Sequence, residues 1–206
     1  MGSEERKALR RRDLDPDPMR QFRRWLEEAE AAGVAPPHGM TLATTNRQGE
    51  PAARVVLLRG VDERGLVFYS NYRSRKGEEL AQNPQAALLF YWPELARQLR
   101  VEGRVELLAA AESDRYFAHR PRGHQLGAHA SAQSRVIGDR DQLEAAFVAA
   151  ARRFAGGEVP RPPHWGGYRL VAQMLEFWQE GADRLHDRLR YRRETEYNWV
   201  IERLAP

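Results

Sequence analysis

The chain of 206 residues contains no cysteine, so disulfide bonds, thiolate metal ligands and cysteine nucleophiles are excluded. Lysine is almost as scarce: among the 33 lysines and arginines, only Lys7 and Lys76 are lysines. Arginine presents a planar fork that grips phosphates and carboxylates through two hydrogen bonds. The composition is therefore compatible with a phosphorylated ligand.

Long apolar segments are also missing. No run approaches the roughly 18 apolar residues of a membrane span, and the N-terminus has no apolar signal-peptide core. We therefore expect a cytoplasmic protein with no membrane partner. A length of 206 residues suits one domain.

The motifs of several large enzyme classes are absent. The sequence has no P-loop, no G-x-G-x-x-G after a strand, no H-E-x-x-H and no G-x-S-x-G. Its six histidines lack a carboxylate pattern that would complete a metal site, so we expect no metal. Any chemistry must come from other side chains or from a cofactor.

Residues 1–14 are polar and charged, and we predict that they form a mobile arm because they offer little apolar surface to bury. Arg10, Arg11 and Arg12 form a short basic cluster there. With a net charge of only +4, such a cluster is typical of a solvated tail, so we expect no nucleic-acid partner. Residues 15–206 then form the single domain.

The apolar pattern of residues 15–206 mixes helices and strands. A helix is expected between Asp17 and Gly33, and shorter helices at 74–83, 111–119 and 139–154. Strands are expected at 41–46, 52–60, 66–71, 86–92, 97–108, 168–178, 184–193 and 198–204, the first three as a meander. This order lacks strand–helix alternation, so it predicts an α+β fold built on a closed or nearly closed antiparallel barrel.

One candidate phosphate site lies where the strand ending at Asn71 passes into a helix. Ser74, Arg75 and Lys76 fall at the start of that helix, where free N–H groups and a partial positive charge favour anions. An ordinary capped, solvated helix start explains the same residues. The local sequence leaves both interpretations open.

A second cluster lies near the C-terminus. Arg184, His186, Arg188 and Arg190 are spaced two apart, so in a strand they would share one face and repel one another unless an anion lay among them. An ordinary exposed arginine face is the alternative, with Trp178 in the core.

The segment LEFWQEGADRLHDRLRY, residues 175–191, closely resembles the C-terminal signature of the pyridoxine (pyridoxamine) 5'-phosphate oxidase family. RVVLLRG, VFYSNYRSRKGEEL, YFAHRPRG, SAQS, WGGYRL and the closing RLAP agree with the family in order and separation. The resemblance covers residues 11–206. It implies a split-barrel fold and a homodimer that binds FMN in two symmetric clefts, each drawing on both subunits.

The resemblance also assigns roles to residues. The implied FMN contacts are Arg54, Val55, Val56, Leu57, Tyr69, Ser70, Arg75, Lys76, Gln98, Gln133, Ser134, Trp178 and Arg188. The implied substrate contacts are Arg59, Tyr116, Arg120 and His124, together with Arg184 and His186 as the catalytic residues beside the reacting carbon.

The implied activity is that of a pyridoxal 5'-phosphate synthase in vitamin B6 metabolism. Pyridoxamine or pyridoxine 5'-phosphate would be oxidised at its 4' carbon, with electrons passing through FMN to O2 to give H2O2. The amine substrate would also release NH3. Arg184 and His186 would orient the 4' substituent.

Three positions and the N-terminal arm depart from the family pattern. Arg59 replaces the usual lysine, His124 replaces the serine of RPRGSQ, and His129 stands where tryptophan is common. The N-terminal arm also lacks the arginine and tyrosine that some relatives fold over the substrate. A protonated His124 could still pair with a phosphate, so substrate affinity should weaken as pH rises.

Two alternatives stay open. FMN oxidases of phenazine biosynthesis share the EFW and RLHxRLRY blocks but act on larger tricyclic substrates, although Tyr116, Arg120 and WGGYRL favour the vitamin B6 enzyme. A non-catalytic flavin or pyridoxal-phosphate carrier would use the same cleft only for binding. Retention of Arg184 and His186 argues against a carrier.

Overall fold

The structure, a computed structural model, describes residues 8–195 and 198–206. None of the helices in this part of the chain has the length and apolar character needed to cross a membrane. The α-helices are α1 (Pro18–Ala31), α2 (Arg75–Gln82), α3 (Ala110–Ala118), α4 (Arg122–Ala130) and α5 (Arg140–Arg153). The strands are β1 (Gly39–Thr45), β2 (Pro51–Leu57), β3 (Gly60–Val61), β4 (Gly65–Asn71), β5 (Gln85–Trp92), β6 (Arg97–Leu107), β7 (Trp165–Gln179), β8 (Asp187–Arg193) and β9 (Trp199–Arg203).

Helix α1 begins where the sequence predicts. The Asp17 carboxylate accepts a hydrogen bond from the backbone N–H of Met19 at 2.8 Å, and Pro18 occupies the first turn. After the helix, Gly33 adopts a φ of 74°. Glycine has no Cβ, so it takes this left-handed conformation at little conformational cost and ends the helix. Its apolar side, which includes Phe22 and Trp25, is buried in the main core.

The strands form one curled antiparallel sheet in the order β2-β1-β5-β6-β7-β4-β3. This confirms the predicted α+β class and the antiparallel split barrel. The predicted meander is only half right, because β1 and β2 pair but β4 pairs with β7 instead of β2. Curling brings the two ends of the sheet near each other, so the chain steps from β2 across to β4 through the short β3.

Strand β7 marks the place where the sheet splits. It pairs with β6 along most of its length, but its other edge is shared by two strands. The first half, up to Val171, pairs with β4, and the second half, from Met174 onward, pairs with β8. The two edges of the barrel therefore separate after Val171, and β8 and β9 extend away as a second lobe of the sheet.

Two buried clusters hold the fold together. The larger lies inside the curled sheet under α1. The smaller joins α3, α4 and α5 to the start of β7 through Phe117, Leu126, Ala150, Val159 and Trp165. The second cluster fixes α3 and α4 beside the start of β7.

The segment 8–14, part of the predicted arm, does bury apolar surface. Leu9 and Leu14 lie in the main core, and the Leu9 N–H donates to the Asp187 carboxylate at 2.8 Å. Two leucines five residues apart form too sparse an apolar pattern to stand out among the arginines. Residues 1–7 of the arm, including the positions that lack the relatives' arginine and tyrosine, lie outside the described residues.

Two further elements differ from prediction. Helix α4 was not predicted, because its sequence RGHQLGAHA contains two glycines and few apolar residues. The strand expected at 184–193 begins only at Asp187, since Asp183 and Arg184 have φ values of 52° and 64° and form a tight turn. The other expected helices and strands are present within a few residues of their predicted bounds.

Candidate functional site

A cavity of about 890 Å³ opens between β2, β4, the start of α2 and the loops around α3 and α4. This volume lies within the range of about 300–1,000 Å³ that is usual for small-molecule and cofactor sites. Its lining brings together many residues of the two predicted sets. From the predicted cofactor set it contains Arg54, Val55, Val56, Leu57, Tyr69, Ser70, Arg75, Lys76, Gln133 and Ser134, and from the substrate set Arg59, Tyr116, Arg120 and His124.

At one end of the cavity, the start of α2 is both capped and cationic. The Ser74 hydroxyl accepts from the backbone N–H of Gly77 at 3.3 Å, as in an ordinary N-cap. Lys76 donates from Nζ to Ser74 Oγ at 3.2 Å and to Gln133 Oε1 at 2.9 Å. The helix start thus fits both interpretations of the sequence, because capping leaves Arg75 and Lys76 in the cavity wall.

Lys76 is buried, and its burial lowers the pKa of its amine to about 8, with a further decrease from the positive charge of Arg54. Desolvation disfavours the charged amine, and a neighbouring cation adds to that cost. An anion bound beside Lys76 and Arg54 would offset both effects, because an opposite charge favours the charged amine. This end of the cavity is therefore suited to a phosphate.

Glu79 organises the cations around Lys76. This carboxylate is only 4% exposed and accepts hydrogen bonds from Arg75 Nε at 2.8 Å, Arg54 Nη2 at 3.1 Å and Thr44 Oγ1 at 2.5 Å. Burial acts to raise the pKa of Glu79, but these hydrogen bonds outweigh it and lower the pKa. Glu79 was not predicted, although its i,i+4 spacing from Arg75 was a usable signal.

The other end of the cavity is an aromatic wall with an arginine. The rings of Tyr69 and Tyr116 stack with centroids 3.8 Å apart, and Trp165 lies nearly parallel to both. The Arg120 guanidinium lies 4.4 Å from the centroid of the Trp165 ring. Trp165 was missed by the sequence reasoning, which took it only as part of a motif.

Arg120 has unused hydrogen-bonding capacity. Its Nη1 is buried and has no hydrogen-bond partner among residues 8–195 and 198–206. Burial, with a contribution from the positive charge of Arg59, lowers the pKa of Arg120. A buried donor without an acceptor costs free energy, so an anionic ligand that accepts from Nη1 would stabilise this arrangement.

Two histidines lie at the cavity wall, and a third packs away from it. His124 and His119 are exposed at the cavity wall beside Pro121. His129 instead packs against Phe154 at 4.6 Å between ring centroids and hydrogen-bonds the carbonyl of Pro160 at 2.7 Å. The His129 departure therefore affects packing of α4 rather than the cavity.

Three predicted cofactor residues lie elsewhere. Gln98, Trp178 and Arg188 are paired in register across β6, β7 and β8, where they form one row on the second lobe. Tyr69 pairs with Gly167 near the start of β7, and the stretch from Gly167 to Trp178 spans roughly 35 Å when fully extended. Within one chain, this row therefore lies far from the cavity.

The two predicted catalytic residues lie on the same lobe as that row. His186 packs against Trp178 with ring centroids 4.8 Å apart and accepts at Nδ1 from the Gly181 N–H at 3.3 Å. Arg184 is exposed in the turn before β8. The prediction that Arg184 and His186 share a strand face with Arg188 is wrong, because β8 begins after both of them.

The anion that the sequence pattern requires among the arginines of β8 is supplied by the chain itself. Arg188 Nε donates to Glu176 at 2.6 Å, and Arg190 Nη2 donates to Glu202 at 2.6 Å. Carboxylates from the neighbouring strands β7 and β9 thus lie beside these arginines. No ligand anion is needed to neutralise them.

Comparison with known families and proteins gives consistent matches. Residues 26–153 match the family model described as pyridoxamine 5'-phosphate oxidase, and residues 165–206 match the pyridoxine 5'-phosphate oxidase C-terminal dimerisation region. The pyridoxine/pyridoxamine 5'-phosphate oxidase of Burkholderia cenocepacia (strain HI2424) is 57% identical over 203 residues, which are 98% of this chain and 94% of that protein. The protein of the same description from Cyanothece sp. (strain PCC 7425 / ATCC 29141) is 53% identical over 199 residues, 97% of this chain and 93% of that one.

Two solved structures share the fold. PhzG from Burkholderia lata 383, in complex with tetrahydrophenazine-1-carboxylic acid, has a TM-score of 0.90 at 34% identity, covering 97% of this chain and 98% of that chain. An FMN-binding protein from Nostoc punctiforme PCC 73102, related to pyridoxamine 5'-phosphate oxidase, has a TM-score of 0.72 at 18% identity, covering 90% of this chain and 97% of that one. The second likeness shows the fold alone.

Proposed function

Since the chain belongs to the pyridoxamine 5'-phosphate oxidase family, we propose that it oxidises pyridoxamine and pyridoxine 5'-phosphates to pyridoxal 5'-phosphate with FMN and O2. H2O2 is the second product, and the amine substrate also yields NH3. FMN supplies the redox chemistry by accepting two electrons from the substrate and passing them to O2. The protein supplies binding, orientation and charge.

The observation that carries this proposal is the presence of two cation groups in one cavity. Arg54, Arg75 and Lys76 surround the start of α2, and Arg59 and Arg120 form the second group beside the aromatic wall. A phosphorylated cofactor together with a phosphorylated substrate brings two separate phosphates. The lowered pKa of Lys76 and the unpartnered Nη1 of Arg120 give each group a reason to bind an anion.

In this assignment the first group holds the phosphate of FMN. Lys76 is held in place by Gln133, and Arg54 and Arg75 by Glu79. Arg59, Arg120 and His124 hold the phosphate of the substrate. The rings of Tyr69, Tyr116 and Trp165 wall the cavity on this side and limit the entry of water.

We further propose that the working form is a homodimer in which a second copy completes each site. Five predicted residues lie outside the cavity of their own chain, namely Gln98, Trp178, Arg184, His186 and Arg188. The last four belong to the matched dimerisation region, and Gln98 pairs with Trp178 from the neighbouring strand. The same five residues of a second copy would close the cavity and bring Arg184 and His186 to the substrate's 4' carbon. There they would orient the amine or alcohol.

A second candidate function is oxidation of a reduced tricyclic phenazine acid. The likeness to PhzG, with a TM-score of 0.90, supports it. The vitamin B6 assignment is favoured because Arg59 and Arg120 together suit a phosphate dianion, and because the relatives at 57% and 53% identity carry the oxidase description.

The deciding experiment is an assay of purified protein after its visible spectrum has been checked for bound FMN. Pyridoxal 5'-phosphate and H2O2 would be measured in equal amounts from each B6 phosphate, beside a reduced phenazine carboxylic acid. Turnover of the B6 phosphates supports the proposal. Turnover of the tricyclic acid alone supports the second candidate, and bound FMN without any turnover indicates a carrier.

A further inference from the structure

We propose that Glu176 is a positioning residue that holds Arg188 in place for the cofactor. Both residues belong to the split face, which we define as Gln98, Arg100, Glu176, Trp178 and Arg188 on β6, β7 and β8. This role of Glu176 goes beyond the residue contacts that the family resemblance implies. It rests on the proposed function, because the orientation of Arg188 matters only if this face meets FMN. Neither Glu176 nor Arg100 belongs to the residue sets implied by the family resemblance.

Strand register places these side chains together. Gln98, Trp178 and Arg188 form one row across three strands, and Arg100 pairs with Glu176 in the next row. Residues two apart in a strand point to the same side, so Arg100 lies beside Gln98 and Glu176 beside Trp178. Glu176 is the acidic member of the split face, and its row continues through Arg190 on β8 to Glu202 on β9.

The contacts of Glu176 are short and use both of its oxygens. Oε1 accepts from Arg188 Nε at 2.6 Å, and Oε2 accepts from Arg100 Nη2 at 2.7 Å. Arg188 Nη1 also donates to the backbone carbonyl of Ala205 at 2.9 Å. Two of the three guanidinium nitrogens of Arg188 are thus held by the chain, which fixes the plane of the group before any ligand arrives.

Burial makes this arrangement depend on charge. Glu176 is only 3% exposed, whereas Arg100 is substantially exposed. Burial acts to raise the pKa of Glu176, but the hydrogen bond from Arg188 and the charge of Arg100 outweigh it and lower the pKa. Without the carboxylate charge, two guanidinium groups would face each other across a neutral residue, and Arg188 would turn toward solvent.

The test is Glu176→Gln, which keeps the size of the side chain and removes its charge. We expect FMN to bind about 10- to 100-fold more weakly, the range for loss of a charge-assisted contact. Dilution of the FMN-loaded protein, followed by the rise of free-flavin fluorescence, measures this without turnover. Glu106→Gln is the matched control, because Glu106 pairs with Arg64 near the other end of β6 and should leave FMN affinity unchanged.

A double-mutant cycle separates positioning from a general structural role. If Glu176 acts through Arg188, then Glu176→Gln should weaken FMN binding little further once Arg188→Ala is present. If the fold-losses in FMN affinity of the two single variants multiply in the double variant, the proposal is overturned. An FMN affinity of Glu176→Gln equal to that of the wild type would also overturn it.

If Glu176→Gln does not fold, Glu176→Asp takes its place in the test. Aspartate keeps the carboxylate charge but has a side chain shorter by one methylene. This variant should bind FMN more weakly than wild type, and equal affinity would overturn the proposal. A wild-type protein that holds no FMN would instead sink the proposed function. The two failures are therefore distinguishable.

Discussion

The cavity and the split face share one arrangement of charges but differ in enclosure. In each, a buried glutamate bridges two arginines: Glu79 holds Arg54 and Arg75, and Glu176 holds Arg100 and Arg188. The cavity adds a buried lysine and walls from several elements, whereas the split face is open on one side. Fixed guanidinium groups thus occur in both regions, but only the cavity is enclosed by its own chain.

This difference indicates which region can bind an anion within a single chain. The cavity contains unsatisfied capacity for an anion, notably at Arg120 Nη1. On the split face, Arg188 is satisfied by Glu176 and Ala205, so that face gains little from a small anion alone. We infer that anion affinity resides mainly in the cavity, and that the split face contributes orientation when a second copy brings it there.

The largest effect expected is from Arg120→Ala. Loss of a cavity cation with a buried, unpartnered Nη1 should lower kcat/KM for pyridoxamine 5'-phosphate by about 100-fold, since a hydrogen bond to a charged group contributes about 1.5–3 kcal/mol. Steady-state kinetics measure it. Arg115→Ala, on the preceding helix α3, is the control, because Arg115 is exposed and does not line the cavity. Equal kinetics of the two variants would remove Arg120 from the site.

Subunit complementation tests the division between the two regions. Arg120→Ala impairs the cavity, and Arg184→Gln impairs the second lobe, so each homodimer should be nearly inactive. When equal amounts of the two variants are unfolded together and refolded, about half of the dimers contain one chain of each kind. In such a mixed dimer one of the two sites combines an unchanged cavity with an unchanged second lobe. The mixture should therefore have about one quarter of the wild-type activity per subunit. Activity that stays at the level of the separate variants would mean that each site is built from one chain.

A smaller effect is expected from pH. Lys76 has a pKa lowered to about 8 by burial and by Arg54, so below pH 8 it is mainly charged and above pH 8 mainly neutral. FMN phosphate stays a dianion over this range, because its second pKa is near 6. FMN affinity should therefore fall about tenfold between pH 7.5 and 9.5 as Lys76 loses its charge. Flavin fluorescence titrations measure it, and Lys76→Arg, which keeps its proton, should show a flat profile.

The sequence predicts local structure better than it predicts which residues meet. Asp17, Pro18 and Gly33 set the ends of α1 through their own backbone chemistry, so that helix could be placed without knowledge of its neighbours. The pairing of β4 with β7, where the sequence predicted β2, depends on contacts between strands that are distant in sequence. No local pattern encodes that pairing.

The candidate site shows the same limit. Family resemblance supplied the residues of the cavity, but spacing alone suggested repulsion among the β8 arginines and missed Glu176, which lies on another strand. Arg184 was assigned to a strand because its alternation with His186 fits a period of two. Its φ of 64° belongs to a turn that alternation cannot reveal.

The smallest effect expected is at His124, where this chain departs from its relatives. His124 is exposed at the cavity wall, so water competes with its contact to the substrate phosphate and the contact should change substrate affinity only about threefold. The imidazole can donate a hydrogen bond to the phosphate, and a serine hydroxyl at this position could donate one as well. His124→Ala should therefore raise KM for pyridoxamine 5'-phosphate about threefold, while His124→Ser should raise it less. His119→Ala, changed at a neighbouring histidine of the cavity wall, is the control and should leave KM unchanged. A KM of His124→Ala equal to that of the wild type, measured by steady-state kinetics, would show that His124 does not contact the phosphate.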